Sequence, residues 1–232
     1  MGSLTNRESH HASVPTTGES IIAACRKRDV HVSSFQIKCG QYPDAALHEI
    51  KLSGQGGTLL YFHGGGYRNG ISGAGHVPMV LDCAAASGAS RVLCLEYGLT
   101  PRPKYPGQLA QAARVLDVLL NEQGLRPSQL ILGGDSAGGN LVLALLAHLE
   151  EPHPAIPPVD GFKSGERFHG VFLISPWVTI PQTASSFNEN ATRDYLNQQR
   201  IARFLDFWRP RNEVWADPLK AGAEFWKTVP AD

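Results

Sequence analysis

The sequence of 232 residues has no long hydrophobic run and no excess of either charge. No stretch of 18 apolar residues occurs, which argues against a transmembrane helix. The polar first twenty residues hold no apolar core of a signal peptide. Lysine plus arginine and aspartate plus glutamate each number 21, so the formal net charge is zero. We therefore expect no basic surface for nucleic acid or for an anionic membrane.

Cysteine is scarce, and its few copies have no spacing typical of a metal site. The four are Cys25, Cys39, Cys83 and Cys94. Cys83 and Cys94 lie inside apolar segments, which favours buried free thiols. With no signal peptide core, this pattern predicts a reduced, cytoplasmic protein. The glycine patterns of dinucleotide-binding folds and of P-loops are also absent, so a phosphate-binding loop is disfavoured.

Apolar segments alternate along the chain between strand patterns and helix patterns. Four continuous apolar runs predict strands that are buried on both faces. They are 57–62, 91–97, 128–134 and 170–176. Segments of helical spacing separate or precede them. These are 20–28, 75–88, 106–124 and 137–151. Two alternating segments, 31–39 and 46–54, predict antiparallel strands at a sheet edge. The order implies an α/β fold with a predominantly parallel sheet flanked by helices.

A serine lies among glycines where the third buried strand meets a helix. The segment GDSAG, residues 134–138, matches the pattern Gly-x-Ser-x-Gly in the strand–turn–helix context that this pattern requires. Small residues on either side let strand and helix approach closely, so Ser136 projects its hydroxyl into the cleft. The Ala137 amide falls at a helix N-terminus, which favours negative charge. The pattern predicts that Ser136 is a nucleophile.

Three consecutive glycines follow the first buried strand in the segment HGGG, residues 63–66. Consecutive glycines let backbone amides point into one cavity, which suits an oxyanion hole. A flexible turn is the alternative, although a turn rarely needs three glycines. We expect His63 to brace this loop by hydrogen bonds rather than to act as a base.

The two motifs, in this order and two strand–helix units apart, resemble those of hormone-sensitive-lipase-like carboxylesterases of the α/β-hydrolase fold. The resemblance covers about residues 20–232 and includes YFHGGGY, GGDSAGGN, LISPWV and WADPLKA. It implies that Ser136 is the nucleophile. The implied oxyanion amides are those of Gly65, Gly66 and Ala137. The implied supporting residues are His63, Gly64 and Asp135.

The resemblance also sets an expected domain organisation. Residues 1–19 are expected to be a disordered tail, and residues 20–232 one α/β-hydrolase domain that is incomplete at its C-terminus. Segments 20–40 and 180–212 match the parts that form a helical cap over the acyl pocket. Aromatic residues in or near the second segment have two interpretations, pocket lining or packing of the cap, and packing is favoured for most.

The acid and the base of a catalytic triad are not found. In this fold they follow the serine in the order acid, then histidine. No histidine follows His169, which is expected at the amino end of the fourth buried strand. Asp217 comes too early in the pattern, and Asp232 is the last residue. Both roles therefore stay unassigned.

Three explanations stay open. In the first, a segment or chain not present here supplies the acid and the histidine, with a second chain or dimer partner completing the sheet. In the second, the protein has lost the triad and its cleft binds a small molecule or serves non-hydrolytic chemistry. In the third, the chain is a truncated product with little stable function.

The first explanation predicts a serine esterase acting on a small or medium ester. The histidine would take the Ser136 proton as the hydroxyl attacks the carbonyl, and water would then hydrolyse the acyl-enzyme. This chemistry needs no metal ion and no organic cofactor.

Overall fold

The structure is a computed structural model that describes residues 14–231. Its centre is a sheet of six strands. They are β1 (Val32–Ile37), β2 (Ala45–Lys51), β3 (Thr58–Phe62), β4 (Arg91–Glu96), β5 (Leu130–Asp135) and β6 (Gly170–Ile174). The order across the sheet is β1-β2-β4-β3-β5-β6. The four neighbouring strands β4, β3, β5 and β6 are parallel to one another, whereas β2 is antiparallel to both β1 and β4. The predicted α/β fold is confirmed.

Helices cover both faces of the sheet. They are α1 (Thr17–Arg26), α2 (His76–Ala86), α3 (Gly107–Asp117), α4 (Ala137–Glu150), α5 (Ser186–Glu189), α6 (Gln198–Trp208) and α7 (Gly222–Trp226). A π-helical turn, Val118–Glu122, continues α3. The apolar faces of α1 and α2 pack on one side of the sheet, and α3 and α4 pack on the other. Within residues 14–231, no helix is long and apolar enough to cross a membrane.

The central strand β3 shows why these runs are continuously apolar. Its side chains alternate between the two faces, as the period of a strand requires. Leu59 and Tyr61 pack beneath α1 and α2, while Leu60 and Phe62 pack beneath α3 and α4. All four side chains are buried. A strand with helices on both faces has no position for a solvated residue.

The first helix begins earlier in the chain than predicted. Residues 1–13 of the expected tail lie outside the described residues, but α1 begins at Thr17. A capping box causes this start, because the Thr16 hydroxyl accepts from the Glu19 amide and the Glu19 carboxylate accepts from the Thr16 amide. The prediction of a tail through residue 19 was therefore wrong at its end.

The first predicted cap segment, 20–40, is also corrected in part. Val32–Ile37 is strand β1, which pairs with β2 over six residues and so belongs to the sheet. Only Ile37 of this strand is buried, and Ser34, Phe35 and Gln36 are exposed, as the position at the edge of the sheet allows.

The cysteines are free, and three of the four are buried. Burial raises the pKa of the Cys94 thiol to about 12, so this thiol stays protonated. Cys83, which was expected to be buried, is half-buried. It lies beside the inward face of α2, which Val77, Val80 and Ala84 form.

The junction between β5 and α4 depends on a close backbone approach. A Cβ atom at Gly138 would collide with the carbonyl of Phe62 at the end of β3. Because that contact is backbone, no side chain can move away to relieve it. Gly138 thus lets α4 lie directly against the strand ends where Ser136 turns.

We predict that Gly138→Ala lowers the free energy of unfolding by about 2 kcal/mol or more, the cost of overpacking a close contact. Urea unfolding followed by circular dichroism measures it. The matched control is Gly170→Ala, because a Cβ atom there meets no atom within 4 Å, and we expect a change within about 1 kcal/mol. Equal effects of the two changes would contradict this account.

Candidate active site

Ser136 lies in the sharp turn between β5 and α4. Its backbone has φ 49° and ψ −115°, a conformation that a non-glycine residue rarely adopts. Neighbouring backbone holds it there. The Ser136 amide donates to the Ile174 carbonyl at 3.0 Å, and the Ser136 carbonyl accepts from the Trp177 amide at 2.9 Å. Strain of this kind costs about 1–3 kcal/mol and persists where the surroundings fix the backbone. The turn therefore holds the serine in one orientation.

The glycine loop after β3 has the backbone conformation expected of an amide-presenting loop. Gly65 has φ 114° and Gly66 has φ 62°, both in the region that favours glycine. The Gly64 amide is already engaged, since it donates to the Asp135 carboxylate at 2.7 Å. Among residues 14–231, no backbone acceptor is recorded for the amides of Gly65 and Gly66. The resemblance implies that these two amides, together with that of Ala137, are the oxyanion donors.

Asp135 joins the glycine loop to the turn that carries Ser136. Its carboxylate accepts from the Tyr61 hydroxyl and from the Gly64 amide, each at 2.7 Å, and from His76 Nε2 at 3.2 Å. Burial pushes the pKa of Asp135 upward, but the hydrogen bonds from His76 and Tyr61 outweigh it and hold this pKa below its usual value. An ionised carboxylate therefore fixes loop and turn together.

His63 is a brace within the loop. Its Nδ1 lies 2.6 Å from the Gly64 carbonyl and its Nε2 lies 3.3 Å from the Thr17 hydroxyl. Nδ1 therefore carries the proton, and Nε2 accepts from Thr17. The ring stacks on Tyr97 with centroids 4.4 Å apart. Burial lowers the pKa of His63 to about 4. With both nitrogens engaged, this residue has no free position for a substrate proton.

Thr17, at the start of α1, contacts both ends of the loop. Besides its bond to His63, its hydroxyl accepts from the Ile71 amide at 3.2 Å. The next residue of α1, Gly18, donates its amide to the Glu96 carboxylate at 3.1 Å. The N-terminal turn of α1 therefore packs against the back of the loop and restrains it.

A cavity of about 290 Å³ opens in front of Ser136. Ser136 and Gly66 form part of its wall. Side chains from α5, α6 and the segment between them line the opposite side, among them Phe187, Leu196, Ile201 and Phe204. The Phe204 ring touches Gly66, since a Cβ atom there would lie 2.6 Å from it. The wall opposite the serine is therefore mixed, since Asn190 and Asp194 lie beside these apolar side chains.

The other aromatic residues of this region follow the packing interpretation only in part, because Tyr67 and Trp208 are buried whereas Phe207 and Tyr195 are exposed. Trp208, at the end of α6, is 2% exposed and stacks on Tyr67 with centroids 4.4 Å apart. Phe207 lies under the guanidinium of Arg68 at 4.0 Å. Tyr195 is exposed. Only Phe187 and Phe204 of the aromatic residues in α5 and α6 line the cavity.

No histidine lines this cavity among the described residues. The His169 amide donates to the Leu130 carbonyl at the first residue of β5, so His169 lies at the opposite end of the sheet from Ser136. Asp217 is buried outside the cavity lining, and Asp232 lies outside the described residues. The acid and the base stay unassigned in the structure, as in the sequence.

Sequence reasoning missed several residues that hold the site. Tyr61, His76 and Thr17 contact Asp135 or His63 from positions 46 to 74 residues away in the chain. Asn140 was also missed. Its side chain accepts from the Tyr67 hydroxyl at 2.7 Å and donates to the Trp177 and Ala216 carbonyls. The one available signal was Asn140 itself, a polar residue among the apolar and glycine residues at the start of α4.

The fold and this site define a class of protein. A family model described as the alpha/beta hydrolase fold matches residues 59–231, and the chain belongs to this family. The resemblance stated from the motifs is thus confirmed.

Individual relatives have sequences or structures similar to this chain. LipR of Mycobacterium tuberculosis is 31% identical over 208 residues, which is 89% of this chain and 59% of LipR. An acetyl-hydrolase of Streptomyces hygroscopicus is 33% identical over 164 residues, 68% of this chain and 50% of the relative. The chain therefore spans between half and three fifths of these relatives. The crystal structure of an esterase from the bacterial hormone-sensitive lipase family superimposes with a TM-score of 0.68 at 28% identity, covering 91% of this chain and 69% of that one.

We predict that Thr17→Val lowers the free energy of unfolding by about 1–3 kcal/mol, because the change leaves His63 Nε2 and the Ile71 amide without a partner. Thr17→Ser keeps the hydroxyl and is the matched control, with an effect well below that of valine. Amide hydrogen exchange of Ile71 gives the local measurement. Unchanged exchange at Ile71 in Thr17→Val would refute the proposed restraint of the loop.

We predict that the free energy of unfolding depends on pH through His63. The pKa of His63 falls from 6.5 when unfolded to about 4 when folded, so below pH 6.5 the unfolded chain binds the extra proton. His63 therefore does not lower the free energy of unfolding above pH 6.5, but lowers it by roughly 3 kcal/mol as the pH decreases to about 4. Urea unfolding at pH 7, 6 and 5 measures this decline.

His63→Gln should flatten the decline, whereas a matched change at the exposed His31, His31→Gln, should leave it unaltered. A decline as steep in His63→Gln as in the unaltered protein would assign the effect to other groups.

Proposed function

We propose that this chain carries the nucleophile and the oxyanion hole of a serine carboxylic-ester hydrolase. The observation that carries the proposal is the pairing of two features, the strained Ser136 turn and the glycine loop, through the Asp135 carboxylate. Relatives named as esterases and an acetyl-hydrolase support it. Each feature alone occurs in other proteins, but together they match what acyl transfer requires.

The reaction begins with attack of the Ser136 hydroxyl on an ester carbonyl, while a histidine removes the proton. Negative charge develops on the carbonyl oxygen, and the amides of Gly65, Gly66 and Ala137 bind it. Each such donor is worth about 3 kcal/mol in the transition state. The alcohol leaves with a proton, and water then releases the acid from the acyl-enzyme. Every step uses groups of the protein and water.

The substrate is a small or medium ester. The apolar side chains in the wall of the cavity of about 290 Å³ beside Ser136 suit an acyl chain. Phe204 limits the space next to Gly66, which favours short acyl groups. We propose that segment 180–212 acts as the cap over this pocket, with Trp208 fixing the end of α6 to Tyr67.

The acid and the histidine come, in this proposal, from a segment or chain not present here. Strand β6 is where it would attach. Within residues 14–231, β6 pairs with β5 alone, and its five residues are all apolar or glycine and half-exposed. An apolar strand with one open edge favours a further strand beside it. A dimer partner could supply that strand as well.

A second candidate function is non-hydrolytic binding of a small molecule by a protein that has lost its triad. The absence of histidine from the cavity lining, among the described residues, favours it. The two candidates differ in whether Ser136 becomes reactive when a base is available.

Chemical rescue separates them. A fluorophosphonate reacts with a serine that has a general base nearby, and imidazole added to the solution can supply that base. We expect imidazole to raise the rate of Ser136 adduct formation about tenfold or more, since general-base assistance is worth roughly 10²–10⁴-fold. Intact mass spectrometry with peptide mapping gives the rate and the position.

Ser136→Ala removes that adduct, and Ser186→Ala, a change at another serine of the cavity wall, leaves it in place. If no adduct forms on Ser136 at any imidazole concentration in the folded protein, the hydrolase proposal fails and the binding function is favoured.

A further inference from the structure

A second serine contacts a histidine, far along the chain from Ser136. Ser34 on β1 faces His48 on β2, and the Ser34 hydroxyl lies 2.8 Å from His48 Nδ1. His48 Nε2 lies 2.7 Å from the Glu96 carboxylate at the end of β4. The three side chains therefore form a continuous hydrogen-bonded row across three neighbouring strands. The sequence motifs give no indication of it, since the residues are 14 and 48 positions apart.

The direction of these hydrogen bonds follows from Glu96. Burial raises the pKa of this carboxyl group, but hydrogen bonds from His48 and from the Gly18 amide outweigh burial and hold the pKa below its usual value. The carboxylate is therefore ionised and can only accept. In the neutral imidazole the Nε2 proton then points to Glu96, and Nδ1 is left to accept from Ser34.

In this row of three side chains, the serine is accessible to solvent and the other two side chains are largely buried. Ser34 is exposed, whereas the His48 side chain is 5% exposed and that of Glu96 is 26% exposed. Gly18 packs against both, because a Cβ atom there would lie 2.6 Å from the imidazole and 2.8 Å from the carboxylate. The imidazole is thus held in one orientation, with its accepting nitrogen toward an accessible hydroxyl.

A nucleophile within hydrogen-bond reach of a base, and a base oriented by a third group, is the arrangement that activates a serine. We propose that Ser34, His48 and Glu96 form a second nucleophilic site, at which Ser34 is covalently acylated or phosphonylated by activated esters and organophosphonates. This inference does not rest on the proposed role of Ser136.

The acylation of Ser34 exchanges one bond to the acyl carbon for another. With an ester, a bond forms between Ser34 Oγ and the acyl carbon, and the bond from that carbon to the alcohol oxygen breaks. The hydroxyl proton passes to His48 Nδ1 and then to the departing alkoxide, which leaves as the alcohol. With a fluorophosphonate, the Oγ–P bond forms, the P–F bond breaks and fluoride leaves, while the hydroxyl proton passes to His48 Nδ1 and from there to solvent.

One difference from the Ser136 site determines how far the reaction at Ser34 proceeds. Ser34 lies within a strand rather than in a turn at a helix N-terminus, and the nearby Gly18 amide at the start of α1 already donates to Glu96. A reagent reaches Ser34 from solvent, because this residue is exposed, and a groove lined by Gln36 and Glu96 lies beside it. We therefore expect one slow acylation per chain, with no rapid turnover.

The test uses the folded chain and a fluorophosphonate, without added imidazole. Ser136→Ala should still gain one adduct, and peptide mapping should place it on Ser34. Adding Ser34→Ala should abolish it. In the Ser136→Ala background, Glu96→Gln and His48→Gln should each slow the labelling about tenfold or more, as loss of general-base assistance requires.

The matched control is Ser33→Ala, because Ser33 is the adjacent serine of β1 and its side chain faces the other side of the strand. It should label as fast as the parent. Thermal melting confirms that each variant is folded. If His48→Gln does not fold, Glu96→Gln alone tests the role of the base. No adduct on Ser34 in Ser136→Ala overturns the proposal. An unchanged rate of Ser34 labelling in Glu96→Gln also overturns it, because Ser34 would then react only as an exposed hydroxyl.

Discussion

The Asp135 carboxylate is the group on which the geometry of the candidate site depends. It is largely buried, so its charge is costly unless donors surround it. The donors come from three elements, namely the Tyr61 hydroxyl of β3, the Gly64 amide of the loop and His76 of α2. Because Asp135 also precedes Ser136 in the chain, the same bonds that satisfy the charge set the distance between serine and loop. The carboxylate therefore couples the position of the loop directly to that of the turn.

A second layer of polar contacts supports this arrangement from behind. Thr17 and Gly18, at the start of α1, bind the loop and the end of β4. Helix termini carry amides without partners inside the helix, and here the Glu96 carboxylate accepts one of them. The N-terminal helix is therefore part of the support of the site, although its sequence carries no motif. Removal of water from these buried contacts also explains why His63 is neutral at physiological pH.

The sequence predicts the parts of this fold that local patterns determine. The buried strands, the long helices and the Gly-x-Ser-x-Gly turn each depend on residues within a short window, and the structure confirms the strands and helices near their predicted bounds. The contacts of Thr17, Tyr61 and His76 depend on residues 46 to 74 positions distant, which no periodicity reports. The early start of α1 was missed for a different reason, since its capping box at Thr16 and Glu19 lies in a polar stretch that favoured a tail.

The contact of Phe204 with Gly66 links the entrance of the cavity to its chemistry. Helix α6 is attached at its C-terminal end, where the Trp208 carbonyl accepts from the Tyr105 amide and the indole stacks on Tyr67. Any outward swing of α6 that widens the entrance also takes the Phe204 ring off the loop and exposes the Gly66 amide to water. If the Gly66 amide binds the oxyanion as proposed, water then competes for that amide and weakens the bond. In that mechanism, α6 takes one position when a ligand enters and another when the amide stabilises negative charge.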